Sequence, residues 1–533
     1  MRRRGFRLAY LYLIGLAVRA GALPAPPPVY VPFGNLTTAG TGGFAVAGTA
    51  IISGNASGHW PISGGLLTPS VAGDTANLNA GPYTLTLNNG DVLNVDIIAN
   101  RWSVRTSAEW TTIATQAAAN LLGRGVQLRA GEYALGINPD TTGTPLRRMN
   151  LIAGRFVIEA ADPLNFPVLT DRVRLSARGV TFKELDMRGA PAANAPASTT
   201  VFSALGTVTF PTSHTKLLYC VLRNPDRPFE DTPANTTIYQ VNGPNSIGWT
   251  TACTSIATNG SGYDEFEEII GCSVYGARRG IQVPVGTSHT CRIENNYVSG
   301  CYDIGIKPFY QNGALKCTVN FNTVEKLIAK NTDVGNPHPD YILFTGSAFA
   351  ISDWEVECCG NRMVSNGRSN GAGIAFRDFW TPTDGDSTRS FIATVVGNAF
   401  DGTTPEGLII EQGKNVVVRN NTFTNSPFQI GSGSPQARIS GQATVVRNYA
   451  SAFTIVQDGG APPNITGDNI STALNDTFDR TVADPTTLAE FMSSWSRKAG
   501  GPADIAGPID IGAIGSGAVT WPTTPTSPDG VYV

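Results

Sequence analysis

Two columns of recurring residues dominate the pattern of apolar and polar positions between about residues 270 and 450. In the first column, an apolar strand is followed by an asparagine and then, after one further residue, by another apolar side chain. The intervals between these asparagines are 26, 39, 37, 23 and 27 residues. A unit repeated at roughly 20–50 residues is the signature of a solenoid, in which each copy forms one coil. The asparagines are Asn296, Asn322, Asn361, Asn398, Asn421 and Asn448.

The second column consists of branched apolar residues that recur in step with the asparagines. Because side chains alternate between the two faces of a strand, these residues share one face of successive strands. We therefore predict a parallel β-helix, with the second column stacked inside the solenoid. The asparagines are predicted to stack at a turn, where their amides hydrogen-bond from coil to coil. The second column comprises Ile281, Ile306, Ile342, Ile374 and Leu408.

The region before the repeats has a different pattern. Strands at 84–87 and 92–98 flank an Asn-Asn-Gly-Asp turn, which predicts a hairpin within a small β domain at residues 30–105. Thr106 and Glu109 have the spacing of a capping box, so a helix is predicted to begin there. A strand and the turn Ala130-Gly-Glu-Tyr133 follow this helix.

The helix, strand and turn, together with the closing segment Gly507-Pro-Ile-Asp-Ile-Gly-Ala513, resemble pectate-lyase-like right-handed parallel β-helix proteins of the bacteriophage tailspike type. The resemblance covers about residues 105–515 and concerns the fold. It implies an all-β chain whose N-terminal helix caps the first coil of a right-handed parallel β-helix at residues 106–515, followed by an extended tail at 516–533. It also implies a carbohydrate ligand and a homotrimer.

The N-terminal segment, residues 1–29, supports two interpretations that the sequence leaves open. Arg2–Arg4 precede the apolar run Leu8–Val18, and a Pro-rich linker follows at Pro24–Pro28. This order is typical of a signal peptide, which would make the protein secreted or periplasmic. The alternative is an anchor that joins the chain to other tail proteins of a virion. The run is too short to predict a membrane span.

Composition narrows the classes of partner. The net charge is -3 and only 15% of residues are charged, so nothing predicts nucleic acid as a partner. The eight cysteines lack the paired spacing of a zinc site, and most lie in apolar strand patterns, so they are predicted to be small buried side chains. No cofactor is predicted, although the acidic run Asp264–Glu268 leaves calcium open.

Charged residues at matched positions of the second column are the candidates for chemistry. Asp303 and Asp340 fall in successive coils. Neighbouring coils lie about 4.8 Å apart, so we assign both carboxylates as candidate catalytic groups of a glycosidase. Arg279 and His338 lie near them in the pattern and are candidate substrate contacts. Glu406 belongs to the same group, which lies at the starts of the column strands. In the alternative interpretation, the two aspartates bond turn backbones and the arginine pairs with a carboxylate.

A second group follows the ends of the column strands. Glu411 is the third candidate catalytic residue, and Arg377, Asp378 and Trp380 are candidate substrate contacts, as is Lys307 within a column strand. The alternative interpretation is a surface ion pair between Arg377 and Glu411. A strand length of roughly 17–20 Å is predicted to separate the two groups, so that they form no single reaction centre.

Three functions are compatible with these features. The first is a phage tailspike that binds the surface polysaccharide of a host cell, either with or without depolymerising it. The second is a secreted bacterial polysaccharide lyase or glycoside hydrolase. The third is a non-catalytic β-helix adhesin, which the scarcity of carboxylates favours.

Overall fold

The protein is described here from a computed structural model of the 533-residue chain. The chain divides into two compact units, residues 1–105 with 126–129, and residues 106–125 with 130–533. The structure describes residues 27–37, 40–54, 60–69, 82–118, 125–136, 156–175, 179–188, 200–204, 212–223, 245–249, 264–277, 279–285, 290–302, 304–310, 314–325, 327, 339–346, 354–364, 371–377, 391–402, 406–411, 413–424, 426–431, 439–457, 461–471, 478–480 and 495–497. The predicted anchor or signal segment up to residue 26, the closing segment and the C-terminal tail lie outside them.

The first unit is built from short strands around an aromatic core. Trp60 is 1% exposed and packs against Phe33 and Tyr83, with ring centroids 5.0 and 5.8 Å away. Strands β6 and β7 are antiparallel, which confirms the predicted hairpin. The strands are β1 (Val29–Gly34), β2 (Phe44–Ala45), β3 (Ile51–Ser53), β4 (Ile62–Ser63), β5 (Leu66–Leu67), β6 (Tyr83–Leu87), β7 (Val92–Ile98), β8 (Arg101–Val104) and β9 (Gly125–Leu128).

The second unit begins with the helix α1 (Ser107–Ala118). The backbone N–H of Glu109 donates to Oγ1 of Thr106 at 3.2 Å, so the helix has the predicted N-cap. The indole N–H of Trp110 donates to the carbonyl of Leu135 at 2.8 Å, which fixes the buried side of the helix to the turn after β10 (Glu132–Tyr133).

Three long parallel sheets make up the rest of this unit. Sheet A contains β11 (Phe156–Ala160), β14 (Val180–Lys183), β17 (Thr212–Leu218), β20 (Asp264–Ile270), β23 (Cys291–Glu294), β26 (Lys316–Asn320), β29 (Trp354–Cys359), β32 (Phe391–Val396), β35 (Gly413–Arg419), β38 (Ala443–Val446) and β40 (Ile465–Gly467). Sheet B contains β10, β12 (Val168–Leu169), β15 (Asp186–Met187), β18 (Val221–Arg223), β21 (Ser273–Tyr275), β24 (Tyr297–Ser299), β27 (Thr323–Glu325), β30 (Arg362–Val364), β33 (Ala399–Asp401) and β36 (Thr422–Thr424). Sheet C contains β13 (Val173–Leu175), β16 (Thr200–Ala204), β19 (Asn245–Trp249), β22 (Arg279–Pro284), β25 (Ile304–Tyr310), β28 (Ile342–Gly346), β31 (Ala372–Arg377), β34 (Glu406–Ile410), β37 (Phe428–Ile430) and β39 (Phe453–Ile455). A further pair, β41 (Phe478–Arg480) and β42 (Trp495–Arg497), is antiparallel.

The chain visits the three sheets in turn. Strands β20, β21 and β22 belong to sheets A, B and C, and each pairs in parallel with the strand three positions later in the chain. One coil therefore adds one strand to each sheet. The all-β prediction is confirmed, and the architecture is parallel β-helix-like.

The second column of the sequence pattern lies inside the coils. In sheet C, Ile281 is in register with Ile306, and the pairing continues through Ile342 and Ile374 to Leu408. All five side chains are 0% exposed. The predicted stack is confirmed.

The asparagine column forms a hydrogen-bonded ladder at the turn between sheets A and B. Each side-chain amide donates to Oδ1 of the asparagine one coil further on, at 2.9–3.0 Å from Asn296 to Asn469. Each amide also donates to a strand carbonyl of the preceding coil, such as that of Ile269 for Asn296. The prediction of stacked amides is confirmed, and the column includes Asn469 as a further member.

The residue before each ladder position has a left-handed backbone. The φ angle is 66° at Gly360 and 58° at Arg447, and Asn295, Phe321, Gly397, Asn420 and Asp468 share this conformation. Gly271 also has a φ angle of 66°, and it precedes Cys272, whose backbone N–H donates to Oδ1 of the first ladder asparagine. A left-handed residue followed by a hydrogen-bonded side chain turns the chain sharply without a long loop.

Gly271→Ala should lower the free energy of unfolding by about 1–2 kcal/mol, because an L side chain is strained in this conformation. A Cβ there would also lie 2.4 Å from Cδ1 of Tyr219. Gly467→Ala is the control, since a Cβ at Gly467 has no neighbour within 4 Å. The urea midpoints of the two variants give the comparison, and equal midpoints would contradict the prediction.

The described cysteines are free and largely buried, as predicted, and only Cys359 among these seven is partly exposed. Burial raises the pKa of Cys272, Cys317 and Cys358, and together with the nearby Glu357 carboxylate it raises the pKa of Cys359 to about 12. The folded state therefore retains thiol protons that the unfolded chain releases near its ordinary pKa of 9.0.

We predict that the free energy of unfolding falls as the pH rises from 9 to 12. The sign follows from the raised thiol pKa values: this contribution is fully present below the unfolded pKa and is lost as the pH rises. Denaturant unfolding across this range should show a shallower decline for Cys359→Ala than for the natural sequence. Identical slopes would show that this thiol does not contribute.

Candidate functional site

Arg377, at the end of β31, is the centre of a charged cluster on sheet C. The ring of the preceding residue, Phe376, packs 5.4 Å from that of Phe391 in sheet A and so points inward. Strand alternation then places Arg377 on the outer face. Its Nη2 contacts Glu406, its Nε lies 3.5 Å from Oε1 of Glu411, and its Nη1 lies 4.0 Å from Oδ2 of Asp340. These four residues are the Arg377 cluster.

Asp340 is the buried member of the Arg377 cluster. Its side chain is 1% exposed, and its Oδ1 accepts a hydrogen bond of 2.8 Å from the backbone N–H of Ala372 in the next coil. The carboxylate therefore joins two coils through the backbone, which is the structural role that the alternative interpretation gave it. A reacting group must meet substrate, and the burial of Asp340 does not favour that.

The side chain of Arg377 spans the predicted separation between the two candidate groups. Asp340 and Glu406 belong to the group at the strand starts, whereas Arg377 and Glu411 belong to the group at the strand ends. Arg377 lies within ion-pair distance of carboxylates from both groups. A long guanidinium side chain reaches back along the sheet, and residue spacing alone does not convey that reach.

The exposed fraction of the side chains increases along the cluster, from the coil of Asp340 to the coil that contains both glutamates. The exposed side-chain fraction is 1% for Asp340, 12% for Arg377, 28% for Glu406 and 32% for Glu411. The ion pair between Arg377 and Glu411 agrees with the alternative interpretation of that pair. The cluster thus opens to solvent on the side of the two glutamates.

Apolar side chains on the same outer face form a small buried patch beside the cluster. Leu343, Ala375 and Ile409 follow the inward residues of their strands, and they pack with Ile304 and Ala372 at exposures of 0–5%. Thr345 lies two residues after Leu343 and is in register with Arg377. It is 1% exposed, and within the described part of the chain its hydroxyl makes no hydrogen bond.

The other residues predicted for the site lie elsewhere on sheet C or outside the described residues. Arg279 donates from Nη1 to Oε1 of Gln282 at 2.6 Å on β22, and Lys307 is in register with Gln282 on β25. Both therefore lie on sheet C, in coils before the Arg377 cluster. The catalytic candidate Asp303 and the candidate contacts His338, Asp378 and Trp380 lie outside the described residues.

Sheet A carries an ion-pair network that the sequence analysis did not predict. Lys216 lies 3.1 and 2.7 Å from Glu267 and Glu268, and Arg292 bridges Glu268 and Glu294 at 3.1 and 2.6 Å. Two glutamates of the acidic run thus pair with cations. Within the described ranges, no group of three or more His, Cys, Asp or Glu side chains could hold a metal ion.

Sheet B also presents polar side chains that residue spacing did not reveal. The hydroxyl of Tyr297 donates to the carboxylate of Glu325, which is 3% exposed. Burial lowers the pKa of Arg362 to about 10. Strands of two or three residues are too short to show alternation, so no pattern marked these positions in advance.

Comparison with known proteins finds no match: no protein-family profile fits the chain, and no curated protein is similar to it in sequence. The part of the resemblance that the structure supports is the parallel β-helix-like architecture. Across the described residues, no helix is long and apolar enough to cross a membrane.

Proposed function

We propose that the protein is a tailspike-type receptor-binding protein, which attaches to a polysaccharide of the host cell surface through the outer face of sheet C. The observation that supports this proposal is the stack of ten parallel strands in that sheet. At about 4.8 Å per strand, ten strands extend over roughly 43 Å, which suits an extended polymer. The charged and polar groups of the Arg377 cluster lie along this surface.

The same proposal includes the handedness of the coils, the role of α1 and the role of the first unit. The coils are right-handed and pectate-lyase-like, α1 covers the open end of the first coil, and the first unit is an adaptor that joins other virion tail proteins. The protein acts as a homotrimer on a phage tail. Support comes from the order of the units and from the need of a solenoid to cover its terminal coil.

A non-catalytic adhesin is the second candidate, and one observation favours it. Asp340 is buried and bonded to the backbone of Ala372, while Glu406 and Glu411 both contact Arg377. Carboxylates engaged in this way stabilise the surface on which a glycan would rest. Binding without cleavage is the expected outcome for this candidate.

The full chain tests these functions directly. Purified protein is incubated with bacterial surface polysaccharides, and binding is measured by sedimentation with the polymer while cleavage is measured by release of reducing ends. Binding with cleavage supports a depolymerising spike, and binding alone supports the adhesin. Absence of binding to every surface polysaccharide would overturn both. The mass of the native protein in solution then tests the proposed homotrimer, and the mass of a monomer would contradict it.

A further inference from the structure

We propose that Asn89, at the tip of the β6–β7 hairpin, is a site of spontaneous modification, where the side-chain amide is lost as ammonia and an aspartyl or isoaspartyl residue forms. The juxtaposition that carries this inference is an exposed asparagine whose side-chain amide is hydrogen-bonded to Asp91 through both its nitrogen and its oxygen, across the peptide of Gly90. The reaction concerns the first unit and does not depend on the proposed function.

The tip of the hairpin consists of Asn88, Asn89 and Gly90, between the hydrogen-bonded residues Leu87 and Asp91. The backbone N–H of Gly90 donates to the carbonyl of Leu87 at 3.0 Å, and the backbone N–H of Leu87 donates to the carbonyl of Asp91 at 2.8 Å. Gly90 has a φ angle of 90°, a conformation that glycine adopts without the cost that a Cβ imposes. All three residues of the tip are exposed, so water has access to them.

The side chain of Asn89 is folded back onto the residues that follow it. Its Nδ2 donates to Oδ2 of Asp91 at 2.7 Å, and its Oδ1 accepts from the backbone N–H of Asp91 at 3.2 Å. The second bond closes a ring of atoms that contains both Cγ of Asn89 and the backbone nitrogen of Gly90. An N–H donor at Oδ1 also stabilises the negative charge that develops on this oxygen when a nucleophile adds to Cγ.

The backbone nitrogen of Gly90 is the nucleophile of the reaction. It loses its proton to a base of the solvent and forms a bond to Cγ of Asn89. The bond between Cγ and Nδ2 then breaks, and the amide nitrogen takes up a proton and leaves as ammonia. Water opens the resulting five-membered succinimide at either carbonyl, which gives the aspartyl or the isoaspartyl product without any change of oxidation state. Because both groups belong to adjacent residues, the attack is intramolecular and needs no further reactant before water.

Two features of Gly90 favour this attack. Glycine has no Cβ to obstruct the approach of its nitrogen to Cγ, and its backbone reaches the required conformation easily. The hydrogen bond from Gly90 to Leu87 must open during the reaction. It lies at the exposed tip of a hairpin, where water replaces such a bond at little cost.

The neighbouring Asn88 has neither feature. Its Oδ1 accepts from the backbone N–H groups of Thr49 and Ala50 at 2.9 and 3.3 Å, and its Nδ2 donates to Oγ1 of Thr49 at 2.9 Å. These bonds join its amide to a distant segment of the chain rather than to the peptide that follows it, and the next residue is Asn89, which has a Cβ. Ladder asparagines such as Asn361 are buried, with their amides held between coils.

The product alters the tip in two ways. A carboxylate at position 89 replaces the donor to Asp91 by a like charge, and one further negative charge changes the formal net charge of the chain from -3 to -4. In the isoaspartyl form the backbone contains an additional methylene. The hydrogen bonds between Leu87, Gly90 and Asp91 then no longer fit the lengthened loop. The first unit therefore acquires a mixture of tips as the protein ages.

The test follows the purified full chain during incubation in mildly alkaline buffer. Peptide mass spectrometry locates the lost amide, chromatography of the peptides separates the two products, and ion exchange detects the more acidic protein. Asn89 should convert at least about tenfold faster than Asn88 in the same molecules, because the placement of a nucleophile changes rates by such factors. The rate should rise with pH, since the N–H of Gly90 must lose its proton. Equal rates at the two asparagines, or an intact Asn89 at the end of the incubation, would overturn the inference.

Variants of the same hairpin make the test specific. Asn89→Gln keeps a side-chain amide but requires a six-membered ring, so the acidic product of the tip should disappear. Asn94→Gln is the matched control, because Asn94 lies within β7 and the same change there should leave the rate at Asn89 unaltered. Asp91→Ala should slow the conversion, and Asp91→Asn, which retains an acceptor for Nδ2 of residue 89, should restore it. Equal rates with all three residues at position 91 would overturn the positioning role of Asp91. Melting curves verify that each variant is folded.

Discussion

Asn361→Ala should lower the free energy of unfolding by about 3–5 kcal/mol, because each buried polar group left without a partner costs about 1–3 kcal/mol. The amide of Asn361 donates to the carbonyl of Val319 at 2.7 Å and to Oδ1 of Asn398 at 2.9 Å. Its Oδ1 accepts from the backbone N–H and the side chain of Asn322 at 2.9 and 3.0 Å. Alanine would remove these bonds to the preceding and following coils, and it would leave the carbonyl of Val319 and the backbone N–H of Asn322 without the amide of residue 361.

Asn415→Ala is the matched control for the ladder. Asn415 is exposed, and its Oδ1 accepts one hydrogen bond of 3.2 Å from the backbone N–H of Gln442. Water can replace that bond, so a loss below about 1 kcal/mol is expected. Guanidinium unfolding followed by circular dichroism gives both values. Similar losses in the two variants would show that the ladder stabilises the coils no more than a surface contact does.

The two columns could be predicted because every copy of the repeat meets the same environment. Asn322 and Asn361 are 39 residues apart in the chain, yet they occupy equivalent turns and hydrogen-bond directly. The inserted loops change the interval without changing the register of the strands, so the pattern survives irregular spacing. Ile306, Ile342 and Ile374 remain in register for the same reason.

The candidate site was harder to predict than the columns. How far a side chain extends along the sheet, and which residues pack over it, do not repeat from coil to coil. Arg377 was assigned to the strand ends, but its guanidinium also contacts Glu406 at a strand start. The burial of Asp340 depends on what packs against the outer face, and a strand pattern contains no information about that. Thr345 looked like any other strand threonine, since the absence of a hydrogen-bond partner is a property of the folded surroundings.

Arg377→Met should lower the free energy of unfolding by about 3–5 kcal/mol, the cost expected when one partner of a buried ion pair is removed. Methionine retains much of the apolar stem but leaves the nearly fully buried Asp340 and the half-buried Glu406 and Glu411 without their shared cation. Arg447→Met is the control. Arg447 lies 3.9 Å from Asp468, at side-chain exposures of 41% and 50%, and a pair so exposed contributes about 0–1 kcal/mol.

A double-mutant cycle separates the ion pair from simple loss of packing. Asp340→Asn keeps an acceptor for the backbone N–H of Ala372 and removes the charge that faces Arg377. The loss in Arg377→Met with Asp340→Asn should therefore be smaller than the sum of the single losses, by roughly 0.5–3 kcal/mol. Strictly additive losses would mean that the two groups do not interact, and Arg377 would then be held by Glu406 and Glu411 alone.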